Sequence, residues 1–365
     1  MITPDDIRQL IFSSIEMLKP MQLSNSLFCF DRIKGQLHPR GLSVRYTLIT
    51  LLGLLNAEKN GYRTGFDIQE IFMNLLLNLD SKEITAGDYG LYLWVDSELG
   101  VSNHAKLTGK LISRFQTSED YTGCLAMELA WVIVGALKSL EKSGDSCSQT
   151  VMNQALHCFI ENYISTSGLF RHYGDLKFRG RFPNFATQIY GILALCAASK
   201  YTNDPQFLSI ARTTADRLLL LQMPDGGWPW LYDTETGTIV EQYEVYSVHQ
   251  DGMAPMCLFE LSKLTNDVKY SLAALHGMNW LYGNNEMNFN MIDHGESLIY
   301  RSIRRKRPFD RLMLYVNTAL SQMKFKSNNG LGYFLEINPT CRPYHLGWML
   351  YAWCGNENLA MMNNK

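Results

Sequence analysis

The sequence predicts an all-α fold, a closed α/α toroid of about six helical hairpins, and three observations point to it. Helices apolar on every side alternate with helices apolar on one face only, the pattern of an inner and an outer ring. Segments of glycine followed by an aromatic residue recur after the outer-type helices, with a period of roughly 60 residues, a scale that repeat architectures use. The alternation stops near the sixth hairpin and ends on one more helix apolar all round, at 344–354, which favours a closed ring over an open solenoid. No Ser/Gly linker or shift in composition divides the chain, so residues 1–365 read as one domain.

In order, residues 4–19 form an amphipathic helix with Pro4 and Asp5 in its first turn and Pro20 ending it. A short extended piece at 26–33 follows. Then comes a helix at 42–58, apolar except for Arg45 and closed by Asn60-Gly61, and an amphipathic one at 66–79. Gly90-Leu91-Tyr92 reads as the first glycine-aromatic joint, Gly168-Leu169-Phe170 as the second and Gly226-Gly227-Trp228 as the third. Inner-type helices are expected at 121–141, 184–200 and 247–264, and outer-type ones at 148–165, 205–222 and 268–282. Asn203-Asp204 and Asn266-Asp267 supply side chains suited to capping the outer helices. The stretch 284–308 breaks the pattern and marks one irregular hairpin. In such a ring the N-terminal ends of the inner helices and the loops before them line a funnel.

Composition narrows the function. Hydrophobic residues at 46% and charged residues at 19% are ordinary for a globular chain. A net charge of −2 argues against a nucleic-acid surface, and no apolar run is long enough for an integral membrane segment. The opening MITPDDIRQL lacks the pattern of a secretory signal, so a cytoplasmic protein is expected; the oligomeric state is left open. The eight cysteines have neither C-x-x-C spacing nor histidines placed in a zinc pattern, so free buried thiols are expected, with no metal and no cofactor.

The densest run of proton-transfer groups lies at 241–251, where Glu241, Glu244, Tyr246, His249 and Asp251 introduce an inner-type helix. Carboxylates at a helix N-terminus often only cap it. At the mouth of a toroid, however, buried charge is costly unless paired or used. Tyr246, His249 and Asp251 are therefore candidate catalytic residues, with Glu244 a substrate contact, and Glu241 is assigned a structural role. A second cluster joins Tyr333 and Tyr344, candidate catalytic tyrosines, to Arg342 and His345. The Arg342 fork suits bidentate grip of a substrate carboxylate. Trp228 and Trp230 of the GGWPW turn mainly bury between hairpins, with stacking on a sugar a secondary role. In the irregular stretch, Asp293-His294-Gly295-Glu296 and Tyr300-Arg301 read as a solvated loop, with a substrate-binding wall, Arg301 included, as their functional reading. The run Arg304-Arg305-Lys306-Arg307 reads as a basic patch that is usually solvated and that attracts an acidic polysaccharide or a diphosphate carrier in its functional reading.

Gln222, Gly226 and Trp228 resemble the Q-x-x-x-G-x-W repeats of squalene-hopene cyclases and prenyltransferases, but the aspartate motifs of those enzymes are absent. A fuller resemblance is to the helical C-terminal domain of D-glucuronyl C5-epimerases. It runs from Gln222 through the Gly-Gly-Trp-Pro segment to Tyr246-Ser247, Gly252 and Ala254, and then to Gly330-Leu331-Gly332-Tyr333 and the segment from Pro339 to His345. That family's β-rich N-terminal region has no counterpart here. The resemblance implies a carbohydrate-active enzyme on an acidic, uronate-containing oligo- or polysaccharide. Its chemistry would be removal of the proton next to the carboxylate, C5-epimerase-like or lyase-like and without a metal. In that chemistry a cation is expected to lower the pKa of the tyrosine base. The alternatives are a glycoside hydrolase using paired carboxylates such as Glu244 with Asp251 or Asp293, a terpenoid cyclase or prenyltransferase-like protein, and a non-catalytic scaffold for polysaccharide assembly.

Overall fold

The computed structural model describes residues 2–36, 38–77, 79, 84–175, 180–306 and 334–364. Two concentric rings of helices form. The inner ring contains α2 (Val44–Lys59), α4 (Ala86–Leu99), α6 (Ala126–Ser143), α8 (Phe185–Thr202), α10 (Ala254–Thr265) and α12 (Pro343–Trp353). Each packs on the next, and α12 packs on α2 to close the circle. The outer ring contains α1 (Pro4–Leu18), α3 (Ile68–Leu76), α5 (His104–Arg114), α7 (Ser146–Tyr163), α9 (Pro205–Leu221) and α11 (Lys269–Leu281). The first and last helices, α1 and α12, make the sixth hairpin across the seam. The all-α toroid expected from the sequence is the observed fold.

Burial explains the two rings. In α8 nearly every residue from Phe185 to Cys196 is buried, whereas α9 buries Ala211, Thr214, Ala215 and Leu218 along one stripe. Side-chain caps start the helices: Thr3 and Thr85 in capping boxes with Asp6 and Asp88, Asn184 on α8 and Asp204 on α9. Asn203 and Asn266 take left-handed backbone at the ends of α8 and α10. Among the cysteines, Cys147 is exposed and Cys124 partly so, and the others are buried and free. Among the described residues no helix is long and apolar enough to cross a membrane.

Gly90-Leu91-Tyr92 is not a joint. It lies inside α4, an inner helix, and α5 is the outer helix that follows. The glycine serves a helix crossing: a Cβ on Gly90 would meet the Trp131 backbone at 2.5 Å, and one on Gly135 would meet the Gly90 carbonyl at 2.0 Å. The GGW turn is a joint, as read. Gln222 Nε2 donates to the Gly226 and Ala273 carbonyls at 2.8 and 3.0 Å, fixing the turn to α11.

The irregular hairpin is β structure set at the mouth of the ring. Strands β1 (Arg32–Ile33) and β9 (Thr340–Cys341) pair antiparallel, as do β2 (Leu231–Asp233) with β3 (Thr238–Glu241) and β5 (Ile292–Asp293) with β6 (Leu298–Ile299). A three-stranded sheet orders β4 (Val245–Tyr246), β7 (Ser302–Arg305) and β8 (Leu335–Asn338), with Tyr246 opposite Ser302. This sheet turns one residue of the basic run inward. Arg305 is 3% exposed with Nη1 2.5 Å from Glu241 Oε1, while Arg304, on the other face, donates to Glu336 at 2.8 Å in a partly exposed pair. With Arg305 spent inside the fold, no solvated patch of four forms; Arg307 lies outside the described residues. Glu241 is structural, as assigned.

Candidate active site

The funnel opens at the end of the ring where the inner helices begin. Its cavity, about 210 Å³, is bounded by Arg45, Tyr46 and Ile49 of α2, Met127 and Trp131 of α6, Asn184, Ala186 and Tyr190 at α8, and Tyr344 of α12. Trp230, Tyr246, His249, Met253, Arg301 and Arg342 complete the wall. Helix N-termini around such a cavity give it a positive bias before any side chain is counted.

Tyr246, His249 and Trp230 form one aromatic wall. The Tyr246 and His249 ring centroids lie 5.1 Å apart, and the Trp230 ring runs parallel to His249 at 6.1 Å. Tyr246 Oη donates to Glu244 Oε2 at 3.0 Å, while Ser302 Oγ and Asn338 Nδ2 donate to Glu244 Oε1. Three donors hold Glu244 behind the tyrosine, and it is not among the residues that bound the cavity. Burial pushes the Tyr246 phenol well above its ordinary value, Glu244 adds to that, and the opposing pull of Arg301 is outweighed. The expected lowering of a tyrosine by a nearby cation does not occur at this residue. His249 goes the other way. Burial, with the Arg301 and His345 charges, brings it down to about 3, so its imidazole is neutral at neutral pH. Its Nδ1 is buried and has no hydrogen-bond partner among the described residues.

Three arginines face the cavity, and they differ in what neutralises them. Arg45 is held by Asp88 and Glu128, each at 2.7 Å. Arg301 stacks on the Tyr246 ring, 4.9 Å from its centroid. Arg342 stacks on Phe30 at 4.3 Å and on Tyr46 at 5.4 Å, and its Nη1 donates to the Tyr46 hydroxyl. Among the described residues no carboxylate forms an ion pair with Arg301 or Arg342, although Glu244 behind Tyr246 acts on Arg301 through space, and Arg301 Nη1 and Arg342 Nε are buried without a hydrogen-bond partner. Half-buried guanidiniums without a counter-ion cost free energy that a bound anion returns.

Other expected residues lie elsewhere. Asp251 and His345 are behind the wall, 0% and 3% exposed, with His345 Nε2 at 2.8 Å from both Asp251 oxygens. The cause is helical phase. His249 and Asp251 share the π-helical turn His249–Met253, where residues two apart point to different sides, and Tyr344 and His345 are likewise turned from one another. Trp228 is fully buried, stacked on Phe185 at 5.1 Å, and does not reach the funnel. Asp293 accepts from Lys34 and Tyr300 at 2.9 and 2.8 Å away from the cavity. Tyr333 lies outside the described residues. The opposite wall of Arg45, Tyr46, Trp131 and Tyr190 was not anticipated. Its signal was present: Arg45 and Glu128 are isolated charges at the starts of otherwise apolar inner helices.

A larger depression, about 350 Å³, opens at the far end of the ring. There Lys200 meets Glu260 at 3.1 Å, Lys138 meets Glu141 at 3.5 Å, and Lys263 donates to Asn356 at 2.9 Å. Lysines near helix C-termini have an ordinary structural role. Of the two cavities, the funnel is the one lined by guanidiniums without an ion pair among the described residues.

No known family profile matches this chain, and no curated protein matches it in sequence. Solved structures do resemble it in fold. One is an unsaturated glucuronyl hydrolase specific for heparin, 12% identical, covering 99% of this chain and 98% of its own, with a TM-score of 0.67. A sugar epimerase from a ruminal bacterium is 12% identical over 96% and 98%, with a TM-score of 0.65. Cellobiose 2-epimerase from Bacillus thermoamylovorans B4167 is 11% identical over 96% and 98%, with a TM-score of 0.69. At these identities the likeness establishes the α/α-toroid architecture; none of the three is a cyclase or a D-glucuronyl C5-epimerase.

Proposed function

We propose that the chain is a carbohydrate-active enzyme that binds a uronate-containing glycan in the funnel and works by acid–base chemistry next to the carboxylate. The observation that carries this reading is the pair Arg301 and Arg342, both facing the cavity and neither in a direct ion pair with a carboxylate among the described residues. A uronate carboxylate between them supplies the missing charge. It also makes the neighbouring C5 proton removable, because the charge that develops on the carboxylate is already countered.

Neutral His249 is the group suited to accept that proton. Tyr246, held protonated against Glu244, is suited to donate. These two stand on one wall, the arrangement for elimination, with Tyr246 protonating the leaving oxygen. For C5 epimerisation the returning proton must come from the other face, and Tyr344 on α12 is the donor from a different helix. That fold neighbours include a glucuronyl hydrolase and sugar epimerases agrees with a sugar substrate. Hydrolysis by paired carboxylates is less well supported, since no Asp or Glu is among the described lining residues.

The test is turnover of glucuronate-containing oligosaccharides in deuterated water. Deuterium at C5 without chain cleavage is the epimerase outcome, and an unsaturated, ultraviolet-absorbing end group is the lyase outcome. Reducing ends released with neither would overturn the reading in favour of hydrolysis. Turnover unchanged in both Tyr246→Phe and His249→Ala would overturn the assigned roles.

A further inference from the structure

Beside the funnel lies a second cleft, about 390 Å³, lined by Phe30, Leu42, Ser43, Val44, Ile84 and Asp88 and sharing Arg45 and Tyr46 with the funnel as a common wall. Resting on the reading that the funnel holds a uronate, we infer that this cleft is a second sugar subsite, taking the residue linked to the uronate, and that this neighbour is an uncharged, hydroxyl-rich sugar.

Size is the first argument. A cavity of about 210 Å³ is small against the roughly 300–1,000 Å³ of typical ligand pockets, so the funnel by itself suits little more than one ring. The adjoining cleft brings the site into the usual range.

The second argument is what the cleft exposes. Phe30 is 39% and Leu42 43% exposed, large apolar side chains left open beside a charged funnel. Phe30 stacks on Tyr46 with 5.3 Å between centroids and 21° between planes, and Arg342 lies over the other ring contact of Phe30 at 4.3 Å. The same aromatic surface therefore backs the arginine of the funnel and forms the floor of the cleft. Apolar platforms of this kind suit the C–H face of a pyranose ring, because they bury area without demanding charge.

Charge decides which sugar. Arg45 faces both spaces, but Asp88 and Glu128 hold it at 2.7 Å each, and Asp88 itself lines the cleft. With both carboxylates on its guanidinium, Arg45 offers no free positive charge among the described residues lining the cleft, unlike the arginines of the funnel beside it. A second uronate there would find no free cation. Hydroxyl groups would find acceptors in Asp88 and a donor in Arg45. The site thus reads an alternating pair, acid in the funnel and neutral sugar in the cleft.

The experiment measures dissociation constants by calorimetry for three probes: glucuronic acid, glucuronic acid linked to N-acetylglucosamine, and a disaccharide of two uronates. Each is titrated into the wild-type protein, Leu42→Asp and Phe30→Ala. The mixed disaccharide is expected to bind at least tenfold more tightly than glucuronic acid or the double uronate. Leu42→Asp and Phe30→Ala should each remove most of that advantage, and Leu42→Asp should leave glucuronic acid within about twofold. Equal affinity for glucuronic acid and the mixed disaccharide, or an advantage retained in both variants, overturns the subsite while leaving the funnel reading intact. Failure of glucuronic acid and both disaccharides to bind overturns the funnel reading itself.

Discussion

His345 Nε2 lies 2.8 Å from both carboxylate oxygens of Asp251, on the side of the wall away from the funnel. The pair joins α12 to the π-helical turn that carries His249, while Trp353 Nε1 donates to the Asp251 carbonyl at 2.8 Å from the same helix. Removing one partner strands the other in a dry interior. Asp251→Ala and His345→Ala should each lower stability by about 3–5 kcal/mol, read by urea unfolding. A loss below about 1 kcal/mol in both would refute a structural role for the pair.

The two unpaired arginines predict charge-selective binding. Arg342→Ala and Arg301→Ala should each weaken glucuronate binding by about 10- to 100-fold, in keeping with about 1.5–3 kcal/mol for a charge-assisted hydrogen bond. Binding of glucose should be unaffected. Equal losses for the acid and the neutral sugar in a calorimetric titration would mean that neither arginine reads the carboxylate.

His249 predicts a pH dependence of stability with a definite sign. Its folded value, about 3, is below the ordinary value near 6.5, so between these limits the unfolded chain binds the extra proton. Its contribution is complete above about pH 6.5 and is lost progressively as pH falls towards 3, by at most about 5 kcal/mol. His249→Phe should flatten the unfolding free energy over that window. An unchanged slope would show that the imidazole does not enter the fold neutral.

Gly226 has a φ of +92°, and a Cβ there would lie 2.2 Å from the His276 carbonyl oxygen. Both strain and collision oppose any side chain. Gly226→Ala should cost at least about 2 kcal/mol and lower the melting temperature by several degrees. Gly61, also at positive φ but with open space around it, should tolerate alanine better. Equal losses at the two sites would argue against close packing at the turn.

Arg305 and Glu241 give a last contrast. They are 3% and 1% exposed, with 2.5 Å between Nη1 and Oε1, although Nη1 lacks a well-angled hydrogen bond. Arg305→Ala should destabilise by about 3 kcal/mol with little dependence on salt, whereas Lys306→Ala at the exposed end of the strand should cost under about 0.5 kcal/mol. A strongly salt-dependent loss at Arg305 would return it to the surface.

The ring was legible because burial on all sides or on one side is written locally, residue by residue, as in α8 and α9. The misreadings have separate physical causes. Gly90 looks like a turn residue in one dimension, but its missing Cβ serves the crossing with Gly135 on α6. Asp251 and His345 have the right chemistry and the wrong phase, which a one-dimensional cluster does not encode. The run beginning at Arg304 looks solvated until β7 is paired on both edges, when alternation sends Arg305 inward. Conversely, nothing local singles out Tyr46, Trp131 and Tyr190 within their apolar helices, because what makes them a wall is the neighbouring helix rather than their own sequence.

The seam between α2 and α12 has a consequence for the order of events in folding. Arg342 faces Tyr46 across 296 positions of the chain, so their meeting is one of several contacts at the seam that close very long loops. Local hairpins such as α8 with α9 form with short loops and need no such closure. On that argument the proposed anion site needs the closed ring, because helices alone do not bring Arg342 to α2. A ligand held by Arg342 and by α2 together would bind only the closed form and shift the ring towards it.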